Sequence, residues 1–303
     1  SPASLIYNWQ EEFSKFAPEI KTQVVDGNKA NRRDLIENGQ ADVLITSYNS
    51  ARLDVTEYNT RKINYLVLDE AQFVKNSSTK TNQSIRKLER KNTFALSGTP
   101  IENRVEELWA IFEIVMPGLL PSKKAFKQLT ADEVAVRVKP FILRREKAVV
   151  LKDIPAKVES NLYNELTKKQ KTVYLAQLKQ MQVKVQGMTG ANFVKNKLAI
   201  LAGLTRLRQI CDTPALYLDD YKGDSGKLEQ LTEILRQAEE NNRHVLIFSQ
   251  FTSMLSILET ELNKQHLAHY VLQGSTKPKE RLEMVNAFNA GEKNIFLISL
   301  KAG

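Results

Sequence analysis

A single cysteine, Cys211, and three histidines are all that 303 residues offer to soft metal chemistry. One thiol excludes a disulfide framework and a CxxC metal site. It reads as a buried structural thiol and fits a reducing, intracellular compartment. His266 and His269 straddle a helix-to-strand break with no cysteine or acid around them, so a histidine metal centre is not expected. No apolar run approaches the ~20 residues that a membrane helix needs, and the amino end lacks a signal-peptide pattern. Internal repeats and low-complexity tracts are missing as well. So is the phosphate-binding pattern G-x-x-x-x-G-K-[ST]. The pair Gly226-Lys227 fails it twice, with Tyr221 at the first glycine position and Leu228 at the hydroxyl position. Ser225 or Asp224 capping a helix over residues 227–240 is the better reading.

What is present is ordinary in bulk and uneven in detail. Hydrophobic residues make up 42% and charged residues 26%, values that suit a globular protein of about two domains. The net charge of +9 is concentrated. Residues 119–226 carry 20 basic against 10 acidic side chains, whereas 1–118 carry 15 against 16 and 227–303 carry 9 against 9. A basic middle third points to a polyanionic partner, nucleic acid first. A lysine-rich solvated helical surface is the alternative.

Tyr65-Leu66-Val67-Leu68 runs directly into Asp69-Glu70-Ala71-Gln72. The apolar run is short and non-alternating, as expected of a parallel strand buried on both faces. Such a strand delivers the residues after it to the carboxyl edge of the sheet, where α/β proteins bind ligands. Two adjacent acids there can hold a cation and orient a water, as nucleotide hydrolysis requires. A second apolar run, Thr93-Phe94-Ala95-Leu96, leads into Ser97-Gly98-Thr99-Pro100. Gly98 allows close backbone approach, and the Ser97 and Thr99 hydroxyls can relay hydrogen bonds between strand ends.

DEAQFVKN followed by ALSGTPIENRVEELW resembles motifs II and III of the Swi/Snf family of helicase-like ATPases, in helicase superfamily two. Further stretches fit the same family in order. PASLIYNWQEE resembles its motif Ia, and Thr46-Ser47-Tyr48 its next DNA-backbone motif. Lys139-Pro140-Phe141-Ile142-Leu143-Arg144-Arg145 resembles the inter-lobe segment, and LRQICDTPAL a family signature in which Thr213 stands where many relatives have histidine. HVLIFSQFTSML resembles motif IV, LQGSTKPKERLEMVNAF the motif after it, and ISLKAG the opening of motif V. The family's P-loop and its arginine-finger motif VI have no counterpart in these residues.

Coarse reading along the chain places Trp9 and Phe13 in the core on an amphipathic helix, and strands at 22–25 and 41–48 around a helix over 28–38. RKLERK reads as the solvated face of a helix near 84–90. A strand is expected over 158–163. Thr167 to Gln170 reads as a capping box that starts a long helix. The last third alternates strands at 244–248, 269–272 and 294–299 with helices at 252–265 and 278–289. That rhythm implies a parallel sheet.

The fold expected is therefore α/β: two RecA-like parallel-sheet lobes of the P-loop NTPase type, both truncated, with helical Swi/Snf-type insertions. The first lobe spans 1–118 and lacks its first strand and P-loop. Residues 119–154 are a helical insertion and inter-lobe linker, 155–226 a strand and helical protrusion, and 227–303 the second lobe.

The resemblance implies an ATP-driven motor on double-stranded DNA, with ATP and Mg²⁺ held between lobes in the intact protein. Asp69 would hold Mg²⁺ through water and Glu70 would activate the attacking water. Gln72, Ser97, Gly98 and Thr99 would couple nucleotide state to DNA, and Gly303 would lie near the nucleotide. Ser4, Asn8, Ser47, Tyr48 and Lys75 would meet DNA from the first lobe, and Gln250, Gly274, Ser275, Thr276 and Lys301 from the second. Arg144 and Arg145 would act between lobes. Further partners would be a protein roadblock or a polymerase on DNA in a nucleoid, cytoplasm or nucleus; no membrane partner is expected. Residues 1–303 alone would not turn over ATP. The alternatives are a non-catalytic nucleic-acid-binding scaffold and an RNA-directed helicase of the same superfamily.

Overall fold

A computed structural model describes residues 1–98, 105–150, 155, 157–186 and 190–300. The chain divides into two compact units, Ser1–Ala156 and Lys157–Gly303. The division falls at the Ile154 to Lys157 stretch.

The first unit opens with helix α1 (Ile6–Phe16), then β1 (Thr22–Val25), α2 (Lys29–Glu37) and β2 (Val43–Thr46). Short helices α3 (Tyr48–Leu53) and α4 (Val55–Tyr58) lead to β3 (Ile63–Leu68), α5 (Lys80–Arg86) and β4 (Arg90–Ala95). The helical end comprises α6 (Val105–Val115), α7 (Lys123–Phe126), α8 (Ala131–Val138) and α9 (Lys147–Val150). β1 pairs with β2 and β3 with β4, both in parallel, as helical crossovers require. The two pairs are separate sheets.

Local chemistry sets the helix starts. Asn28, Ser47 and Thr79 each accept a backbone N–H from three residues on, and Thr130 with Glu133 forms a full capping box at α8. One core joins Val25, Ile36, Leu68, Ile85 and Ile114, and a smaller one sets Ile6, Val24 and Ile45 against α1, with Trp9 and Phe13 packed on it. Full burial of each such aliphatic side chain stabilises the fold by about 1.5–3 kcal/mol. A third core holds Leu108, Trp109 and Phe112 of α6 against Leu120, Phe126 and Val134. Arg32 and Asp54 form a buried two-point ion pair at 2.6 and 2.8 Å, and Arg32 also donates to the Gly27 carbonyl at 2.7 Å.

Three expectations are corrected here. β3 is covered on one face only: Tyr65 is 64% and Val67 51% exposed, and Tyr65 stacks on the equally open Phe94. The strand expected over 41–48 ends at Thr46, so that Tyr48 begins a helix. RKLERK is not one solvated helical face either. α5 stops at Arg86, and Arg90 opens β4 and reaches inward, donating to the carbonyls of Leu88 at 2.6 Å and Ile114 at 2.8 Å.

The second unit begins without the expected strand over 158–163. Val158 is 90% exposed, and an isolated extended segment with no ladder partner has nothing to fix it as a strand. Helices α10 (Lys168–Gln186) and α11 (Gly190–Asp212) follow. The Thr167 and Gln170 box forms as expected, and fully buried Gln170 also donates from Nε2 to the Ile210 carbonyl, tying the two helices together. Then come α12 (Gly226–Glu240), β5 (Val245–Ser249), α13 (Thr252–Lys264), β6 (His269–Leu272), α14 (Pro278–Asn289) and β7 (Ile295–Ser299). Ser225 caps α12 by accepting the Leu228 N–H. The sheet order is β5-β7-β6, all parallel, over a core of Leu235, Leu255, Leu258 and Leu297. Cys211 is half-buried, and burial raises its thiol pKa. Among the described residues no helix is long and apolar enough to cross a membrane, and no group of three or more His, Cys, Asp or Glu could hold a metal.

Candidate functional site

β3 and β4 lie side by side in parallel, with Leu68 opposite Ala95, so Asp69 and Ser97 leave the same sheet edge. The turn after β3 is tightly specified. Glu70 has φ +50° and ψ 53°, a left-handed conformation that glutamate rarely adopts and that costs of order 1–3 kcal/mol. Surrounding hydrogen bonds hold it there. The Leu96 N–H donates to the Leu68 carbonyl, Ala71 N–H to the Leu96 carbonyl and Phe73 N–H to the Glu70 carbonyl, at 2.8–3.0 Å. Glu70 N–H donates to Asp69 Oδ1 at 3.0 Å.

The two carboxylates have different partners. Asp69 Oδ2 accepts from the Trp9 indole at 2.8 Å. Glu70 Oε2 accepts from Gln72 Nε2 at 2.5 Å, and Gln72 Oε1 accepts from Ser97 Oγ at 2.9 Å. A continuous chain, Ser97 to Gln72 to Glu70, therefore joins the two strand tips. Gly98 has open space where a Cβ would stand. Each Asp69 oxygen takes one of these protein donors, and a carboxylate has about four acceptor sites. Hard oxygen donors of this kind fit Mg²⁺, which keeps most of its waters and takes one or two carboxylates together with phosphate oxygens.

Tyr48 and Ser47 depart from the expectation that they face DNA. Tyr48 is buried, its ring stacks on Phe73 at 5.8 Å, and its hydroxyl donates to the Asp69 carbonyl at 2.6 Å. Burial, reinforced by the Asp69 and Glu70 charges, pushes its phenol pKa far above 10. Ser47 is also buried and caps α3 by accepting the Ser50 N–H at 3.1 Å. The Ser47 hydroxyl also donates to Ser50 Oγ at 3.0 Å, so both side chains are engaged within the protein. Lys75 pairs with Glu107 at 3.7 Å. Ser4 is half-buried in a single 3-10 turn, and Asn8 is exposed in the first turns of α1.

In the second unit Gly274 and Ser275 are exposed at a turn after β6, and Thr276 Oγ1 accepts the Gln273 N–H at 3.1 Å. Arg281 of α14 donates to the carbonyls of Thr276 at 3.0 Å and Gln273 at 3.2 Å, holding that turn from below. Gln250 accepts from Arg208 of α11 at 2.9 Å. Arg144 and Arg145 are exposed, and Arg144 pairs with Glu146 at 3.2 Å, a surface contact of small energetic weight. Thr99, Lys301 and Gly303 lie outside the described residues.

Sequence reading missed Trp9 as a donor to Asp69, and Arg281 and Arg208 as supports. Two signals were available. A half-buried indole N–H needs an acceptor, and an arginine in the first turn of a helix runs against the helix dipole, so each calls for a specific partner.

The SNF2-related domain family matches residues 1–216, and the helicase conserved C-terminal domain family matches 226–303. An uncharacterised ATP-dependent helicase of Mycoplasma pneumoniae is 34% identical over 318 residues, which cover all of this chain and 30% of that protein. The putative ATP-dependent helicase/translocase YwqA of Bacillus subtilis is 34% identical over all of this chain and 35% of its own length. The ISWI chromatin-remodeling complex ATPase ISW2 of Saccharomyces cerevisiae is 30% identical over all of this chain and 29% of its length. Among solved structures, the Sulfolobus solfataricus SWI2/SNF2 ATPase core in complex with dsDNA shares 33% identity, covering 98% of this chain and 66% of that one, with a TM-score of 0.48. The chain thus spans about a third of the length of these curated relatives. With its acids and Ser97 joined at neighbouring strand tips and the family match running across both, the chain belongs to the SNF2-related domain family.

Proposed function

We propose that this chain is part of an ATP-dependent motor that moves along double-stranded DNA. The observation that carries the reading is the Ser97–Gln72–Glu70 chain beside Asp69. Mg²⁺ and ATP supply the polarised γ-phosphate. Asp69, its carboxylate turned by the Trp9 indole and the Glu70 amide, would hold the metal. Glu70 orients the attacking water and accepts its proton. Gln72 keeps Glu70 in register and links it to Ser97, so a shift at one strand tip reaches the other.

DNA backbone contacts fall to Ser4 and Asn8 at the start of the first unit, and to the exposed turn at Gly274, Ser275 and Thr276 in the second. Gln250, Lys301 and the basic residues between 119 and 226 add to them. Backbone contacts of this kind give affinity that falls steeply with salt and depends little on sequence. The division into lobes at 1–118 and 227–303, with 119–154 and 155–226 as helical additions, belongs to this reading. So do action on a nucleoprotein roadblock or a polymerase and residence in a nucleoid or nucleus.

Steady-state ATP hydrolysis by a protein containing this chain in full length tests the reading. Duplex DNA is expected to stimulate turnover more than single-stranded RNA does. Stimulation by RNA alone would favour an RNA-directed helicase, and no turnover with either would favour a scaffold. Residues 1–303 by themselves, without a P-loop sequence, are expected to be inactive.

A further inference from the structure

We infer that Tyr48 is a positioning residue for the acid pair: its hydroxyl latches the one peptide unit that joins Asp69 to Glu70, and so sets the direction of the Glu70 side chain. Its effect on turnover rests on the proposed ATPase reading, whereas its effect on backbone conformation does not.

The peptide between the two acids is held at both ends. Its carbonyl, that of Asp69, accepts from the Tyr48 hydroxyl at 2.6 Å. Its N–H, that of Glu70, donates to Asp69 Oδ1 at 3.0 Å. The bonds that tie the turn to β4 attach to other peptides: the Leu96 N–H meets the Leu68 carbonyl, and the Ala71 N–H meets the Leu96 carbonyl. They hold the strand tip in place but do not themselves stop the Asp69–Glu70 peptide from rotating.

Rotation has a driving force. Glu70 sits at φ +50°, in the left-handed region that residues other than glycine seldom adopt. Flipping this one peptide takes φ of Glu70 to negative values and releases the strain. The flip breaks both of the peptide's hydrogen bonds. The bond to Oδ1 is local, and its acceptor moves with the Asp69 side chain. The bond from Tyr48 comes from a residue 21 positions away on α3 and cannot follow. Strain and latch therefore oppose each other at a single peptide.

The latch itself is well anchored. Tyr48 is the first residue of α3, whose start is fixed by the Ser47 cap. Its ring is buried and lies nearly parallel to that of Phe73, at 9° and 5.8 Å between centres. One side chain thus grips the acid turn at two points, the Asp69 carbonyl and the Phe73 ring, on either side of Glu70. Burial, reinforced by the Asp69 and Glu70 charges, raises the phenol pKa, so the hydroxyl keeps its proton and remains a donor.

Two variants separate the hydroxyl from the packing. Tyr48→Phe removes the donor and keeps the ring on Phe73; Phe73→Leu removes the stack and keeps the donor. In the 303-residue chain, the backbone couplings and Cα shift of Glu70, read by NMR, report the sign of its φ. Tyr48→Phe is expected to shift the flip equilibrium at least about tenfold towards negative φ, and Phe73→Leu to leave it as in the native chain. Glu70 held at positive φ in Tyr48→Phe, or an equal flip in Phe73→Leu, overturns the assignment. In a longer protein that contains this chain, kcat of Tyr48→Phe is expected to fall in step with the fraction of Glu70 remaining at positive φ, with KM for Mg·ATP within twofold of native. A flip that leaves kcat unchanged, or a fall in kcat without a flip, contradicts the positioning role. If the native longer protein shows no turnover, the ATPase reading fails, and the conformation of Glu70 alone decides the latch.

Discussion

Replacing Trp9 by Phe isolates one contact at the acid pair. The phenyl ring keeps most of the apolar packing beside Phe13, whose ring centre lies 6.4 Å from that of Trp9. Only the indole N–H is lost, which leaves Asp69 Oδ2 without its donor at 2.8 Å. Hydrogen bonds to charged groups contribute about 1.5–3 kcal/mol. Asp69 is half-exposed, so water recovers part of this, and about 1–2 kcal/mol remains, or about 5- to 30-fold in an equilibrium or rate. If Asp69 orients a hydrated metal, that loss falls on kcat/KM for Mg·ATP, measured with duplex DNA at limiting and saturating nucleotide. Denaturant midpoints should barely move, because the ring remains. Trp9→Ala adds a cavity and is expected to lower stability as well by about 3–5 kcal/mol. Unchanged kcat/KM in Trp9→Phe, within twofold, would refute the idea that the indole sets the carboxylate. Loss of stability without loss of turnover per folded molecule would make Trp9 a packing residue only.

Three further outcomes follow from the geometry. Asp54→Asn strands the Arg32 guanidinium in a site where the two side chains are 10% and 2% exposed, and should destabilise the first unit by about 3–5 kcal/mol in urea unfolding; a change under 1 kcal/mol would contradict a buried pair. Gln72→Leu cuts the link between Glu70 and Ser97 and should lower kcat more than about tenfold with little change in nucleotide affinity, read by single-turnover kinetics. Arg281→Ala removes both carbonyl contacts to the turn and should speed amide exchange at Gly274 and Ser275 by about tenfold, while Lys, a single point donor, restores little.

Much of the fold was legible because it rests on local signals. Strands β5 to β7 and their helices follow from period, with Pro278 in the first turn of α14, and Ser225 and the Thr167–Gln170 box cap their helices as their side-chain chemistry predicts. The placing of the acids and Ser97 at neighbouring strand tips was readable too, since two apolar runs end in acids and hydroxyls, whereas the Gln72 side chain that bridges them was not. Tyr48 was misread because a shift of two residues in the end of β2 turns a strand-tip side chain into the first residue of a helix, and its partner is the Asp69 carbonyl, distant in sequence. The Trp9 contact spans 60 residues, and nothing in local pattern reports such a pairing. The stretch over 158–163 alternates like a strand but finds no neighbouring edge, and propensity without a ladder does not make a sheet. β3 carries apolar residues on both sides, yet Tyr65 and Val67 stand exposed while Leu66 and Leu68 are packed. Composition reports what a strand can bury, not what lies against it.

The most direct measurement is ATP hydrolysis and nucleotide binding by the longer protein, side by side, for the native sequence and for Glu70→Gln. Glutamine keeps the size of the side chain and can still meet Gln72, but it cannot accept a proton from water. The account predicts DNA-stimulated turnover in the native protein, turnover lowered by about three orders of magnitude or more in Glu70→Gln, and nucleotide affinity within a few-fold of native. Turnover at the native rate in Glu70→Gln would contradict it, because no carboxylate would then be needed at that strand tip.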